Sequence, residues 1–313
     1  MGNIISNTPY DDVYRTMLVE DDELVLPLLN EVFGEHYSGS EKIVRYSNEH
    51  FDLQQGGTEE KCITDGFLEV IGRERKQYHL ECESSPDGSM IIRMFRYGSQ
   101  LALAESEYDG SKLRVSFPRA AVVFLRSNSN TTDRLKIEIV TPGGSVTYDV
   151  ETLKISKYTI EEIFERKLYF LIPFYIFNLE KELKEYDSDP VRREELKRLY
   201  ISIDKRLEDL SQSGKLSAYS RHLIKDLSNK VVQNLAVKYE QVRKEIGDIM
   251  GGQVLDLEII RVRKEALKDY DELKKQLDEA EDRLDVAEDR LDKAEERADR
   301  AEAELARYKA LYG

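Results

Sequence analysis

The chain lacks tryptophan and has only two cysteines, Cys62 and Cys82, among its 313 residues. It shows no CxxC pair and no cysteine–histidine spacing typical of zinc sites. Two thiols in a chain of this length are typical of a reducing compartment, and no secretory signal is visible. We therefore expect a cytoplasmic protein, and the cysteines predict no zinc site.

Long apolar runs are also missing. The most apolar stretch, residues 168–179 (LYFLIPFYIFNL), has 12 residues and carries Pro173 in its middle. A helix that spans a bilayer needs about 20 apolar residues. The stretch therefore predicts a buried helix, and we expect no membrane association.

Positive charge is scarce, because the formal net charge is −15. The segment from residue 271 to the end contributes −6 of this, and the rest of the chain contributes −9. Phosphate contacts in nucleic-acid complexes need Lys and Arg. A function on nucleic acids would therefore require a local basic surface, metal ions or a partner.

Hydrophobic periodicity in the first half predicts an α/β domain over residues 7–155, a mixed sheet flanked by helices. The predicted elements are a helix over 11–33, a polar loop over 38–57, a hairpin of strands 62–71 and 78–83, a helix over 90–105, a strand over 119–126, and a hairpin of 136–140 and 146–150. The strand over 119–126 is apolar without alternation, which indicates burial on both faces.

The second half is helical by propensity, and residues 156–270 form a predicted helical region. Thr159 and Glu162 have the spacing of a capping box, which opens the helix that carries residues 168–179. Pro190 stands where proline is tolerated, at the start of a helix. Ser213-Gly214 and Gly251-Gly252 are predicted breaks.

The last 43 residues, 271–313, follow a heptad pattern of alternating Leu and Ala. The seven-residue units AEDRLDV, AEDRLDK, AEERADR and AEAELAR succeed one another with little change. Such a segment is either a solvated helix held by ion pairs four residues apart or a coiled coil. The small Ala–Leu seam buries little area. We expect self-association, a homo-oligomer formed through this tail.

Three acidic residues form the pattern with chemical potential: Asp65 on the first predicted strand, and Glu81 and Glu83 on the second. Strand positions two apart share a face, and neighbouring strands lie about 4.8 Å apart. Three converging carboxylates require a cation, and oxygen ligands suit Mg²⁺, Mn²⁺ or Ca²⁺. The spacing by itself is more typical of a solvated strand face.

The sequence around these acids resembles the Rpn-like recombination-promoting nucleases, also described as transposases, of the PD-(D/E)XK superfamily. The specific likeness covers about residues 60–105, with CITDGFLEV at 62–70 and YHLECESSPDGSMIIRMFRYGSQLAL at 78–103. The quoted motifs are Asp12-Val13-Tyr14-Arg15, Asp65, Glu81-Cys82-Glu83-Ser84, and Met90, Arg93 and Tyr97. A looser likeness extends over about residues 7–270 and includes the helix at 160–179.

The resemblance implies a PD-(D/E)XK restriction-endonuclease-like core and Mg²⁺- or Mn²⁺-dependent hydrolysis of DNA. It implies metal binding by Asp65, Glu81, the Cys82 carbonyl and Asp12, with Glu20 as a lesser candidate, and catalysis by Asp65, Glu81 and Glu83. The residues it places near DNA are Arg93, Arg96, Tyr97 and Gln100.

The departure from the family lies at Glu83, where the superfamily has Lys and this family often has Gln. A lysine would position the attacking water or stabilise charge. A glutamate would instead bind a second metal ion or act as a base. The alternative function is a catalytically degenerate scaffold that binds DNA or protein and assembles through its tail.

Overall fold

A computed structural model describes residues 8–46, 49–53, 59–63, 65–85 and 88–251, with only the backbone described for 49–53 and 59–63. Its helices are α1 (Pro9–Glu20), α2 (Asp22–Phe33), α3 (Met90–Ala104), α4 (Ile160–Glu165), α5 (Leu183–Ser188), α6 (Pro190–Gln212), α7 (Ala218–Leu235) and α8 (Glu240–Met250). Its strands are β1 (Lys42–Arg45), β2 (Glu49–Leu53), β3 (Glu59–Ile63), β4 (Gly66–Ile71), β5 (Arg75–Glu83), β6 (Glu107–Tyr108), β7 (Leu113–Arg114), β8 (Arg119–Phe124), β9 (Arg134–Thr141) and β10 (Gly144–Lys154). The heptad segment 271–313 lies outside the described residues.

The main sheet has six strands in the order β1-β4-β5-β8-β10-β9. Strand β4 runs antiparallel to both of its neighbours, β1 and β5, and α3 then carries the chain towards β8, which is parallel to β5. Strand β10 is parallel to β8 and forms a hairpin with β9. The expected α/β class with a mixed sheet flanked by helices is confirmed.

Alternation along β5 divides its side chains between two packed layers. Tyr78, Leu80 and Cys82 enter a large core with α1, α2 and the helical region. The alternate positions face α3, where a smaller apolar cluster contains Met90, Met94, Ala120, Val122 and Phe124. The acidic end of β5 therefore lies between the sheet and α3.

The predictions for residues 11–71 need three corrections. The single helix over 11–33 is two helices, because Asp21 is extended and its carboxylate accepts from the Glu23 N–H to start α2. The predicted loop over 38–57 contains β1 and β2. The predicted strand over 62–71 is divided into β3, which pairs with β2, and β4, which pairs with β5.

Residues 168–179 are buried as expected but do not form an α-helix. A 3-10 segment extends over Tyr169–Glu182 and contains Pro173, which has no N–H to donate. Lys167, with φ of 59°, ends α4 in the left-handed conformation. The large core takes side chains from Val13 to Met250, so it joins the sheet to the helices. The domain boundary near residue 155 stays a prediction.

The capping box at α4 is present as predicted. The Thr159 hydroxyl accepts from the Glu162 N–H, and the Glu162 carboxylate accepts from the Thr159 N–H at 2.8 Å. We expect Thr159→Ala to lower the free energy of unfolding by about 1 kcal/mol, because the start of α4 loses its cap. Urea unfolding measures this loss. Thr159→Ser is the control and should retain most of the stability, and equal losses in both variants would contradict the capping role.

None of the helices in the described ranges is long and apolar enough to cross a membrane.

Candidate active site at the end of strand β5

Asp65 immediately precedes β4. Glu81 and Glu83 lie two residues apart at the carboxyl end of β5, and Glu83 is the last residue of that strand. Gly66 is paired with Leu80, so Asp65 lies opposite Glu81 at the point where β4 begins. Gly66 also allows α1 to approach closely, since an added Cβ would come within 2.5 Å of Leu18 Cδ1. Asp65 therefore lies beside β5 at the point where the pairing between β4 and β5 ends.

Backbone N–H groups hold the carboxylates of both Asp65 and Glu81. The Asp65 N–H donates to Glu81 Oε1 at 3.2 Å, and the Cys82 N–H donates to Asp65 Oδ2 at 2.8 Å. Both carboxylates are buried, with relative exposures of 6% for Asp65 and 1% for Glu81. The structure therefore brings these two predicted residues together.

The pKa of Asp65 is raised well above its ordinary value, first by burial and then by the neighbouring charge of Glu81. The Cys82 N–H and Arg15, whose Nε lies 3.7 Å from Asp65 Oδ1, act in the opposite direction without overcoming burial. Two adjacent buried carboxylates need a proton or a cation between them. The need to offset the negative charge of these two carboxylates is the main chemical property of the site.

Glu83 lies on the same face of β5 as Glu81 but has a different partner. Arg93 of α3 donates to Glu83 Oε2 at 2.7 Å, and the Ser85 N–H donates to Glu83 Oε1 at 3.2 Å. Across the described residues, no three His, Cys, Asp or Glu side chains form a cluster that could hold a metal ion. The expected convergence of three carboxylates is thus reduced to the pair Asp65 and Glu81.

The acidic residue of α1 that acts on the site is not the one expected, Asp12. The side chain of Asp12 is 54% exposed and lies 3.5 Å from Arg15. Its neighbour Asp11 is the acid whose charge raises the pKa of both Asp65 and Cys82. Glu20, at the far end of α1, accepts a hydrogen bond from Tyr219 of α7. Asp11 could not be preferred from the sequence, because the two acids are adjacent and their orientation depends on how α1 packs.

The backbone of Cys82 faces the carboxylate pair. The Glu83 carbonyl accepts from the Leu125 N–H on the β8 side. Successive strand residues direct their backbone groups to opposite sides, so the Cys82 carbonyl faces the other side, where Asp65 lies. The Cys82 side chain is in the core, and burial raises the pKa of its thiol well above the ordinary value. Only its backbone is placed to take part in the site.

His79 is a site residue that was not among the candidates predicted from the sequence, because His79-Leu80-Glu81 lacks the cysteine pair that would complete a zinc site. It is fully buried, and its Nε2 lies 2.9 Å from Glu81 Oε1. Its ring packs edge-on against Tyr97 of α3 at a centroid distance of 6.2 Å. If Glu81 is ionised, His79 must carry a proton on Nε2 to donate to it. Alternation along β5, which puts His79, Glu81 and Glu83 on one face, was the available signal.

The residues expected near DNA lie along α3 but have different roles. Arg93 pairs with Glu83, and Tyr97 is buried against His79. Arg96 is exposed, and Gln100 is partly buried. Arg93 therefore brings positive charge to the α3 side of the site, while Tyr97 supports its interior.

We expect Asp65→Asn to stabilise the metal-free protein at neutral pH by about 1 kcal/mol, a common size for stabilising substitutions at strained functional sites. Because the folded-state pKa of Asp65 is raised, its contribution to stability is complete below about pH 3.9 and is lost as the pH rises through the folded-state pKa. Asparagine does not titrate, so its advantage should be larger at pH 8 than at pH 4.5. Urea unfolding in EDTA measures the difference, and a destabilised variant at pH 8 would contradict it.

Comparisons of the chain with protein-family models, with curated proteins and with solved structures each find no significant match.

Proposed function

We propose that this protein is a divalent-metal-dependent endonuclease that hydrolyses phosphodiester bonds in DNA. The observation that carries the proposal is the pair of adjacent, buried carboxylates of Asp65 and Glu81 at the open edge of β5. Burying two such charges side by side is costly for the fold unless a cation offsets them. Sites that retain such a cost are typical of catalysis.

The donor groups fit Mg²⁺ or Mn²⁺. Asp65, Glu81 and the Cys82 carbonyl are oxygen donors that face the same side of β5, and each carboxylate accepts more than one interaction. A bound ion of this kind supplies polarisation of the phosphodiester and activation of a water. The residues themselves orient these donors: His79 fixes Glu81, and the Cys82 N–H fixes Asp65.

Glu83 and Arg93 take the part that lysine has in the superfamily pattern. Arg93 is held by the buried Glu83, and its side chain remains 35% exposed. A guanidinium held in this way keeps donors for a phosphate while one of them is committed to the carboxylate. In this proposal Glu83 is a positioning residue, and Arg93 supplies positive charge towards DNA together with Arg96.

The order of the elements supports a PD-(D/E)XK-like core over residues 7–155. A helix precedes three antiparallel strands, and a crossover helix leads to a strand parallel to the third. Ligands of α/β sheets commonly bind beyond the carboxyl ends of strands, which is where Glu81 and Glu83 lie.

We further propose that residues 271–313 join copies of the chain. Sedimentation of the full-length protein tests this against a Leu284→Lys/Leu291→Lys variant.

The second candidate is a non-catalytic scaffold on the same fold. It is favoured by the closed Glu83–Arg93 ion pair and by the direction of the Asp65 pKa, which burial raises and which favours the protonated form of that carboxyl. Such a protein would be fully folded without metal and would not gain stability from it. The hydrophobic cores of such a scaffold would be the same as those of an active nuclease. Only the response to divalent ions therefore distinguishes the two candidates.

The test is cleavage of supercoiled plasmid by the full-length protein in Mg²⁺, in Mn²⁺ and in EDTA. The endonuclease proposal expects nicked or linear product with either ion and none in EDTA. Loss of cleavage in Asp65→Asn, with retention in the matched surface variant Glu161→Gln, would tie the activity to this site. A folded protein that leaves the plasmid intact under every divalent ion would favour the scaffold.

A further inference from the structure

A cavity of about 280 Å³ lies beside Glu83, where the start of α3 faces the end of β8 and the loop leading to β9. Met90, Phe124 and Leu135 supply apolar walls, and Asn128 and Thr132 stand among its polar lining residues. Among the described residues around it, Glu83 is the single charged one. The cavity is therefore a mostly apolar, half-open space with a carboxylate in its wall.

Its size and chemistry narrow the class of ligand. Pockets for drug-sized ligands are about 300–1,000 Å³, so this one suits a single small ring system. The absence of Lys and Arg from its described lining disfavours phosphate, which the Glu83 carboxylate would also repel. Apolar walls with neutral hydrogen-bonding groups at the edge suit a flat heteroaromatic ring.

We propose that this cavity binds one unpaired nucleobase of the DNA substrate, next to the phosphodiester held at Asp65 and Glu81. The inference rests on the proposed endonuclease function and deepens it. A base turned out of the helix would lie against Phe124 and Met90, as flipped bases lie between aromatic and apolar side chains. The substrate class is then DNA with an unpaired or extruded nucleotide near the cleavage position.

Glu83 gives the cavity a preference among bases. Its carboxylate is an acceptor, and acidic side chains pair with the N4 amino group of cytosine. Although Arg93 and the Ser85 N–H already donate to it, each carboxylate oxygen accepts more than one hydrogen bond. Thymine has no amino group on its edge, so the cavity should favour cytosine over thymine.

Binding is tested without cleavage, in EDTA, by fluorescence anisotropy of the full-length protein with labelled duplexes. One duplex carries a single bulged cytosine, and its control carries an abasic residue at the bulge. We expect about tenfold tighter binding of the cytosine bulge, the scale of one stacked base. Thr132→Trp, which fills the mouth of the cavity, should remove the difference. The control is Thr147→Trp, because Thr147 is exposed on β10 and does not line the cavity. This variant should retain the difference in affinity between the two duplexes.

A second readout does not depend on DNA binding or on activity. Met90 is 4% exposed and lines the cavity, so its labelled methyl group reports a ligand there by NMR. Deoxycytidine should shift the Met90 resonance and leave that of Met17, a residue of α1 buried in the large core, unchanged. Thymidine should bind about tenfold more weakly, and Thr132→Trp should abolish the shift.

The two proposals fail in different ways. A Met90 shift and a bulge preference in a protein that never cleaves DNA would support the cavity and overturn the endonuclease. Metal-dependent cleavage by a protein with equal affinity for the two duplexes and no Met90 shift would overturn the nucleobase cavity alone. A bulge preference that Thr132→Trp leaves intact would overturn it as well.

Discussion

Replacing Glu81 with glutamine is expected to lower the rate of Mg²⁺-dependent DNA cleavage by about a thousandfold, the upper end of the effect of removing one electrostatic group from a catalytic site. Glutamine has the shape of glutamate, and its amide oxygen retains the bonds from the Asp65 N–H and from His79. The substitution thus removes the negative charge with little change in packing. The rate of plasmid nicking at saturating Mg²⁺ is the measurement.

The matched control is Glu161→Gln, which removes the same charge from an exposed position on α4. It should cleave at the wild-type rate. A thermal melt of each variant in EDTA must show that Glu81→Gln is folded. If Glu81→Gln cleaves within about tenfold of the wild-type rate, Glu81 is not a metal ligand and the proposed site is wrong.

The second large effect is stabilisation by the metal ion. An ion that binds only the folded protein adds about 2.7 kcal/mol to the free energy of unfolding at a concentration one hundred times its Kd. For a domain of this size, that corresponds to a rise in Tm of about 5–10 °C. The reason is local: burial and the neighbouring charge of Glu81 raise the pKa of Asp65, and a bound cation would offset both effects.

Asp65→Asn gives this prediction its sharpest form. The variant should be more stable than the wild type in EDTA and should gain almost nothing from Mg²⁺, so the order of the two Tm values reverses as the ion is added. Glu161→Gln should follow the wild type. A Tm that rises equally in Asp65→Asn and the wild type would place the stabilising ion elsewhere.

Regular segments with strong periodicity were predictable from the sequence. Helix α3 was expected over residues 90–105 and extends over Met90–Ala104. The hairpin of β9 and β10 and the capping box at Thr159 are also as predicted. In each case the local pattern and the tertiary packing favour the same structure.

Predictions failed where a long-range contact decides the local structure. The break at Asp21 combines a local cap with a contact from another element, because Arg45 of β1 donates to the Leu18 carbonyl near the end of α1. In the 3-10 segment of Tyr169–Glu182, apolar residues follow one another without a clear period. Such a run does not distinguish a 3-10 segment from a buried α-helix. Strands β1 and β2 arise from mostly polar residues, so only their pairing reveals them.

The candidate site was half predictable for a similar reason. Alternation placed Glu81 and Glu83 on one face of β5, and the structure has them there. The same alternation puts His79 on the face of Glu81, but it did not indicate that Arg93, ten residues later on α3, would donate to Glu83. That contact depends on where α3 crosses the sheet, which no local pattern encodes.

A crystal of the full-length protein grown with Mn²⁺ tests directly whether a divalent ion binds between Asp65 and Glu81. Anomalous scattering locates manganese without reference to activity. We expect a peak within about 2.0–2.3 Å of oxygens from Asp65, Glu81 and the Cys82 carbonyl, the range of Mg²⁺-like ions. Well-ordered carboxylates with no peak between them at saturating Mn²⁺ would contradict it and would leave a proton as the group that Asp65 and Glu81 share.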